Sequence, residues 1–262
     1  MPRTAFRLVA LLAFALATGA AKAADVKVMI SAGFFHVYSE LGPAFEKATG
    51  HHLITTRGPA VGDSPEAIPA RLSRGEEADV TIMDGSGVDF LVTHNLVRAD
   101  SKLVLAESTF GMVVRAGQPK PDISTVEGLR KTLLEVKSIA YSDSGSGTYL
   151  STVGFKKLGI AEQVAGKSHK VRGPPSGESV AAFVAHDGAE IGFQQVSELI
   201  NTPGADFVGT VPAEIQPPAY FVGLLTANSR QPDAAIALLR FLSSEQATPV
   251  ITKAGLKPLA PR

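Results

Sequence analysis

The sequence predicts an α/β protein built as two α/β lobes with a cleft between them and two crossing segments. Three observations lead there. Short apolar runs alternate with helical patterns along the chain. The alternation stops at Ala116-Gly-Gln-Pro-Lys-Pro-Asp122, a linker-like composition, and then restarts. A second linker-like stretch, Pro212 to Pro218, precedes one more strand and a helical tail. The expected lobes are residues 24–115 with 217–262, and residues 116–216.

Each element has a local reason. Val26 to Ser31 is a short apolar strand. After a turn at Ala32 to His36, the run Val37 to Thr49 puts Leu41, Phe45 and Ala48 on one helical face, and Gly50 stops it. His52 to Arg57 reads as a strand, residues 58–65 as a loop, and Glu66 to Arg74 as a helix closed by Gly75. Ala78 to Met83 is a third strand, and Asp84-Gly-Ser-Gly87 turns sharply into a helix over Val88 to His94. These strands lack polar alternation, which suits a parallel sheet covered on both faces. Ser108 to Arg115 is the next strand. Beyond the first linker come a helix at Thr125 to Leu134, a strand at Ser138 to Tyr141, the loop Ser142 to Gly147 and a helix to Leu158. Strand His169 to Arg172, helix Glu178 to His186, strand Ile191 to Gln195 and a short helix from Val196 follow. Asp206 to Val211 and Tyr220 to Thr226 are the last strands, and the chain from Asp233 is helical with a break at Gly255.

Residues 1–23 carry Arg3 and Arg7, an apolar run from Leu8 to Ala17, and the small-x-small site Ala21-Lys22-Ala23. That pattern predicts a secretory signal peptide. The product is expected to be a free periplasmic protein with no membrane insertion after cleavage, and a monomer. The 25 basic and 25 acidic residues cancel over the full chain, whereas loss of Arg3, Arg7 and Lys22 leaves 22 against 25 and a formal charge of −3. Such a balance lacks the basic excess of a nucleic-acid binder, so no nucleic-acid partner is expected. The absence of Cys removes disulfides, thiolate metal sites and cysteine nucleophiles. His51-His52 is a poor metal signal, because neighbouring strand residues point to opposite faces. No metal and no cofactor are expected.

Open α/β sheets bind ligands at the carboxyl ends of their strands. Here those ends carry Gly33 to His36, Arg57 to Ser64, Asp84 to Gly87, Ser142 to Thr148, Arg172 to Ser179, and Gln194 with Gln195. The helices that follow would present free N–H groups and partial positive charge, so the expected ligand is a small anion.

Three stretches then carry a family resemblance: Val28-Met-Ile-Ser-Ala-Gly33, Arg71 to Met83, and Ala189-Glu-Ile-Gly-Phe-Gln-Gln195. In this order the chain resembles the periplasmic molybdate-binding proteins of ABC importers, and more widely the type-2 periplasmic solute-binding fold, over nearly the whole mature length. The resemblance implies an oxyanion site of hydroxyls and backbone N–H groups. The family's first serine falls on Gly33 and its second on Ser64. Its small residue after the third strand falls near Asp84, and its tyrosine in the second lobe falls on Gln195. A carboxylate near the site repels molybdate. Arg57, Arg172 and His36 instead suit an organic acid with two or three carboxylates, because Arg pairs bidentately with that group. Tyr141 to Gly147 and Gly192 to Leu199 resemble a subgroup of the family that includes isomerases of such acids.

That resemblance implies an isomerase that interconverts trans- and cis-aconitate by cofactor-free allylic proton transfer. Such a reaction needs a base, groups that stabilise developing charge, and exclusion of water. Asp84, Glu178 and His36 are the candidate acid/base groups, with Asp143 also in view. Asp84 reads equally as a helix cap, Glu178 as a first-turn acid, Asp143 as a brace of its own loop and His36 as a surface residue. Gly33, Arg57, Ser64, Ser144, Ser146, Thr148, Arg172 and Gln195 are the candidate substrate-binding residues. The alternative is a substrate-binding protein that carries molybdate or another small anion to an ABC permease.

Overall fold

The structure is a computed structural model that describes residues 23–200 and 202–259. The expected signal peptide, up to residue 22, lies outside the described residues. The strands are β1 (Asp25–Ile30), β2 (His52–Arg57), β3 (Val80–Asp84), β4 (Leu103–Ser108), β5 (Phe110–Arg115), β6 (Ile139–Ser142), β7 (Ser168–Val171), β8 (Ile191–Gln195), β9 (Ala205–Thr210), β10 (Ala219–Leu225) and β11 (Lys257–Pro258). They form two sheets, in the orders β11-β4-β10-β3-β1-β2 and β7-β6-β8-β5-β9.

In the first sheet β1, β2 and β3 run parallel, as their apolar composition predicts. Strand β10 returns from the second sheet and lies antiparallel between β3 and β4. In the second sheet β6 is parallel to β7 and β8, and β5 is antiparallel to β8 and β9. Both sheets are therefore mixed, where a parallel sheet was expected.

Side chains alternate across β1. Val26, Val28 and Ile30 pack on one face with Phe34, Val37, Leu41 and Phe45 of α1 (Ala32–Thr49) and with Leu238, Leu239 and Leu242 of α10 (Pro232–Leu242). Met29 points the other way, into a cluster with Ile68 of α2 (Ile68–Ser73), Met83 and Leu91 of α3 (Val88–Thr93). Full burial of each such side chain contributes about 1.5–3 kcal/mol. The second sheet repeats the scheme. Met112 and Val114 meet Leu129 and Leu133 of α4 (Val126–Glu135), whereas Val113 meets Val180 and Val184 of α8 (Val180–Ala185). Between these helices lie α5 (Gly145–Tyr149), a π turn at Leu150–Gly154, α6 (Phe155–Lys157) and α7 (Ala161–Ala165), and beyond β8 comes α9 (Val196–Leu199). Helix α11 (Thr248–Lys253) precedes β11.

Three expectations change. Helix α1 begins at Ala32, not Val37: Ser31 is extended, at φ −84° and ψ 157°, and its N–H donates to Ile82 O at 2.9 Å. The strand thus becomes helix within one residue, and Gly33 to His36 are helical. The run expected as one strand over 108–115 is the end of β4 and all of β5. The first sheet hands over to the second at the single residue Thr109, so Phe110–Arg115 belongs to the second sheet and not to the first lobe's expected 24–115. The tail is not helical to its end, because Lys257 and Pro258 pair with β4. The return crossing between β9 and β10 is pinned to the outgoing one. Gln216 Oε1 accepts from Phe110 N at 2.8 Å, and its Nε2 donates to Phe110 O at 3.1 Å.

Candidate functional site

The carboxyl ends of β1, β3, β6 and β8 meet where the two sheets face each other. Ser31 and Gly33 come from the start of α1, Asp84 from the end of β3, and Ser144, Gly145 and Ser146 from the turn into α5. Gln195 comes from the end of β8, Glu198 from α9, and Phe221 from β10. Together they line one small pocket of about 10 Å³. The lobes touch around it. Ser197 Oγ donates to Gly33 O at 2.6 Å, and Gln195 Nε2 donates to Asp84 Oδ2 at 2.8 Å. Ser108, one residue before the outgoing crossing, donates to Gln195 Oε1 at 2.5 Å.

Two buried donors in this region have no partner. Ser31 is 3% exposed and its Oγ makes no hydrogen bond. Arg57, at the end of β2, has its Nε buried and unmatched, while its guanidinium lies 4.0 Å from the centre of the Phe35 ring. Buried polar groups are nearly always satisfied. An orphan costs about 1–3 kcal/mol, and a ligand atom that accepts the hydrogen bond removes that cost. Desolvation lowers the Arg57 pKa from its ordinary value, and the nearby charge of Glu198 acts in the opposite direction.

Glu198 and Asp84 are the two carboxyls that line the pocket. Some of Glu198 keeps solvent access, yet its carboxyl is packed deep enough that desolvation pushes it up to about 8. Arg57 opposes that rise; Asp84 and Asp143 add to it, and the hydrogen bond from Gln194 opposes it. That bond is 2.6 Å long, from Gln194 Nε2 to Glu198 Oε2. Gln194 is itself held, since its Oε1 accepts from Val180 N at 3.0 Å. Helix α8 therefore sets the amide, and the amide sets the acid.

The expected site residues divide. Gly33, Asp84, Ser144, Ser146 and Gln195 line the pocket. Asp84 is buried with both oxygens engaged, Oδ1 by Ser86 N at 2.8 Å and Oδ2 by Gln195. Arg57 faces Glu198 from β2. Ser64 and Arg172 meet across the rim, where Arg172 Nη2 donates to Ser64 Oγ at 3.3 Å. Three expected residues lie elsewhere. His36 is on the exposed face of α1 with Glu40 at 3.7 Å, because the helix starts early and turns it outward. Glu178 pairs with His186 at 2.7 Å across the outside of α8. Thr148 is exposed on α5, and its carbonyl accepts from Thr152. Asp143 is buried and raised above its ordinary pKa by desolvation, but its Oδ1 accepts from Gly173 N at 3.1 Å and it does not line the pocket.

Sequence reasoning missed Ser31, Gln194 as a holder of the acid, and Glu198. Ser31 is the first residue past β1 and was assigned to the strand. Glu198 lies three residues past β8, on the first turn that follows a strand end, and that position was the available signal. Among the described residues, no three His, Asp or Glu side chains gather within reach of one ion.

The sequence profile of the bacterial extracellular solute-binding proteins matches residues 26–257. An aconitate isomerase from a Pseudomonas species is 42% identical over 232 residues, which is 88% of this chain and 87% of that protein. The molybdate-binding protein ModA of Azotobacter vinelandii is 28% identical over 256 residues, 95% of this chain and 96% of its own. A solved periplasmic molybdate-binding protein of the same organism superimposes with a TM-score of 0.69 at 19% identity, over 90% of this chain and all of that one. Among the described residues no helix is long and apolar enough to cross a membrane. The two mixed sheets joined by paired crossings are the type-2 periplasmic solute-binding fold, and the chain belongs to the bacterial extracellular solute-binding protein family.

Proposed function

We propose that this protein is a periplasmic isomerase, exported by its N-terminal signal peptide, that interconverts trans- and cis-aconitate in the inter-lobe cleft. The single observation that carries this reading is a pair of unmatched buried donors, Ser31 Oγ in the pocket and Arg57 Nε at the end of β2, near a pocket carboxyl that burial pushes up to about 8. Donors receive the substrate's carboxylates, and an acid of that pKa can both accept and return a proton at neutral pH. The isomerase relative at 42% identity supports the same chemistry. The pocket's 10 Å³ is far below the roughly 300 Å³ at the lower end of ligand sites. Substrate therefore enters an opened form, and closure over it excludes water. In that cycle Arg57 takes a carboxylate inside the cleft, whereas Arg172 and Ser64 close the rim.

Purified protein incubated with trans-aconitate in deuterated water, followed by NMR, is expected to yield cis-aconitate with deuterium entering the carbon-bound positions. No product and no deuterium uptake would overturn the reading. The runner-up is a receptor that delivers molybdate or another small anion to an ABC permease, supported by the 28% identical molybdate-binding relative. A thermal-shift series separates the two. A ligand at 100 times its dissociation constant adds about 2.7 kcal/mol of stability. Strong stabilisation by molybdate without turnover of aconitate favours the receptor.

A further inference from the structure

We propose that Glu198 is the catalytic residue that removes the substrate's methylene proton and returns it to the far end of the allyl unit. This inference rests on the isomerase reading above and names the group that performs it. It stands first on the state of each carboxylate in the cleft. Asp84 has one oxygen on Ser86 N and the other on the Gln195 amide, both at 2.8 Å, so neither is free to approach a carbon-bound proton. Asp143 braces Gly173 and does not line the pocket. Glu178 and His36 are outside the cleft. Glu198 lines the pocket, and only its Oε2 is engaged, by Gln194 at 2.6 Å. Its Oε1 accepts no hydrogen bond from a described residue.

The charged groups around it fit the same role. Arg57 faces it from β2, Asp84 from β3 and Asp143 from beyond β6, while Gln194 holds it from β8. One cation next to the acid stabilises a carboxylate on the substrate as charge spreads into it, and the two anions strengthen the hold of the Glu198 carboxylate on the proton it takes up.

The step balances without a co-reactant. The methylene C–H bond breaks and its proton forms an O–H bond on Glu198 Oε1. The electron pair delocalises across the double bond into the flanking carboxylates. The Glu198 O–H bond then breaks, a C–H bond forms at the former vinylic carbon, and the double bond has moved by one position. One group on one side of the carbon plane serves both ends, so no second acid is needed. Rotation about the bond that is single in the intermediate sets the product's geometry.

The test compares wild type with Glu198→Gln on trans-aconitate. A general acid–base group contributes about 10²–10⁴-fold, so kcat is expected to fall by that factor. The substrate's thermal shift is expected to persist, which shows a folded, binding-competent variant. Glu198→Asp should recover part of the lost kcat, with KM within a few-fold of wild type. Wild-type kcat/KM should fall tenfold per pH unit below about 8, where the base becomes protonated, and the residual activity of Glu198→Gln should lack that limb. A Glu198→Gln variant within tenfold of an active wild type overturns this inference and leaves the isomerase reading standing. An inactive wild type overturns both. If Glu198→Gln does not fold, Glu198→Asp decides: a tenfold or greater loss in kcat supports the role, and an unchanged kcat overturns it.

Discussion

Glu198 is costly to the fold at the pH where it would serve the chemistry. Its folded pKa lies near 8, against an ordinary value of 4.5. Between those values the folded state holds a proton that the unfolded state has lost. Stability therefore declines as pH rises through that window, by linkage, and is unaffected by this group below about 4.5. Glu198→Gln removes the titration and keeps an acceptor for the Gln194 amide. Thermal melts at pH 5 and pH 8.5 should show the variant gaining several degrees on the wild type at the higher pH, with a smaller difference at the lower. A difference independent of pH would mean that the carboxyl titrates near its ordinary value. Little of this residue's importance is legible in the sequence. A glutamate on the first turn of a helix is common and favourable, and only the convergence of β2, β3 and β8 desolvates it. Asp84 was legible as a cleft residue because it stands at the carboxyl end of the strand that the sequence predicts over Ala78 to Met83. Its partner Gln195, 111 positions away, was legible by the same rule, but their pairing was not.

At the scale of elements, the strand ends are where sequence reading succeeds and the crossings are where it fails. Gly50 stops α1 as its position predicts, in a left-handed conformation at φ 74°, with its N–H on Glu46 O. The start of α1 was misplaced because Gly33 lowers helix propensity, and packing overrides that preference. A Cβ at Gly33 would lie 2.2 Å from the Phe221 ring, so the glycine marks a close approach and not a turn. The β4–β5 boundary was illegible because only Thr109 separates two strands that enter different sheets. The turn into α5 obeys the same close-packing logic as α1. A Cβ on Gly147 would sit 1.8 Å from Ser142 O and 2.7 Å from Ser142 N, both backbone atoms at the end of β6. Gly147→Ala should therefore displace the α5 turn, with Ser144 and Ser146, from the pocket. Overpacking of this kind costs about 1–3 kcal/mol or somewhat more. Denaturant melts and isomerase assays should show a loss of stability in that range together with a loss of kcat/KM. A variant of wild-type stability would mean that the turn yields more easily than its contacts imply.

In the proposed cycle the molecule as a whole opens to admit substrate, and its contacts indicate where closure is held. The loop of residues 58–66 in the first lobe meets residues 170–176 of the second: Arg172 donates to Ser64, Ser176 donates to Glu66, and Lys170 lies 3.5 Å from Asp63. Gly62, at φ 109°, comes so close to Asp143 O that a Cβ would lie 2.8 Å from it. These contacts sit at the rim, while the link from Ser108 through Gln195 to Asp84 sits at the crossing side. The two sets differ in what they control. Rim contacts touch no group proposed to meet a reacting atom, so they bias the closed form without changing its chemistry. A ligand whose binding requires closure loses affinity in proportion to the closed population. Exposed ion pairs and hydrogen bonds of this kind are individually weak. The double variant Arg172→Ala with Ser176→Ala should therefore raise KM for aconitate by roughly five- to tenfold, with kcat within about twofold of wild type. Small-angle scattering should show a larger radius of gyration for the unliganded variant than for the unliganded wild type, and both should contract on saturation with ligand. A fall in kcat with KM unchanged would move Arg172 from the rim to the reacting substrate. Equal scattering from all four samples would mean that entry to the pocket does not require the lobes to part.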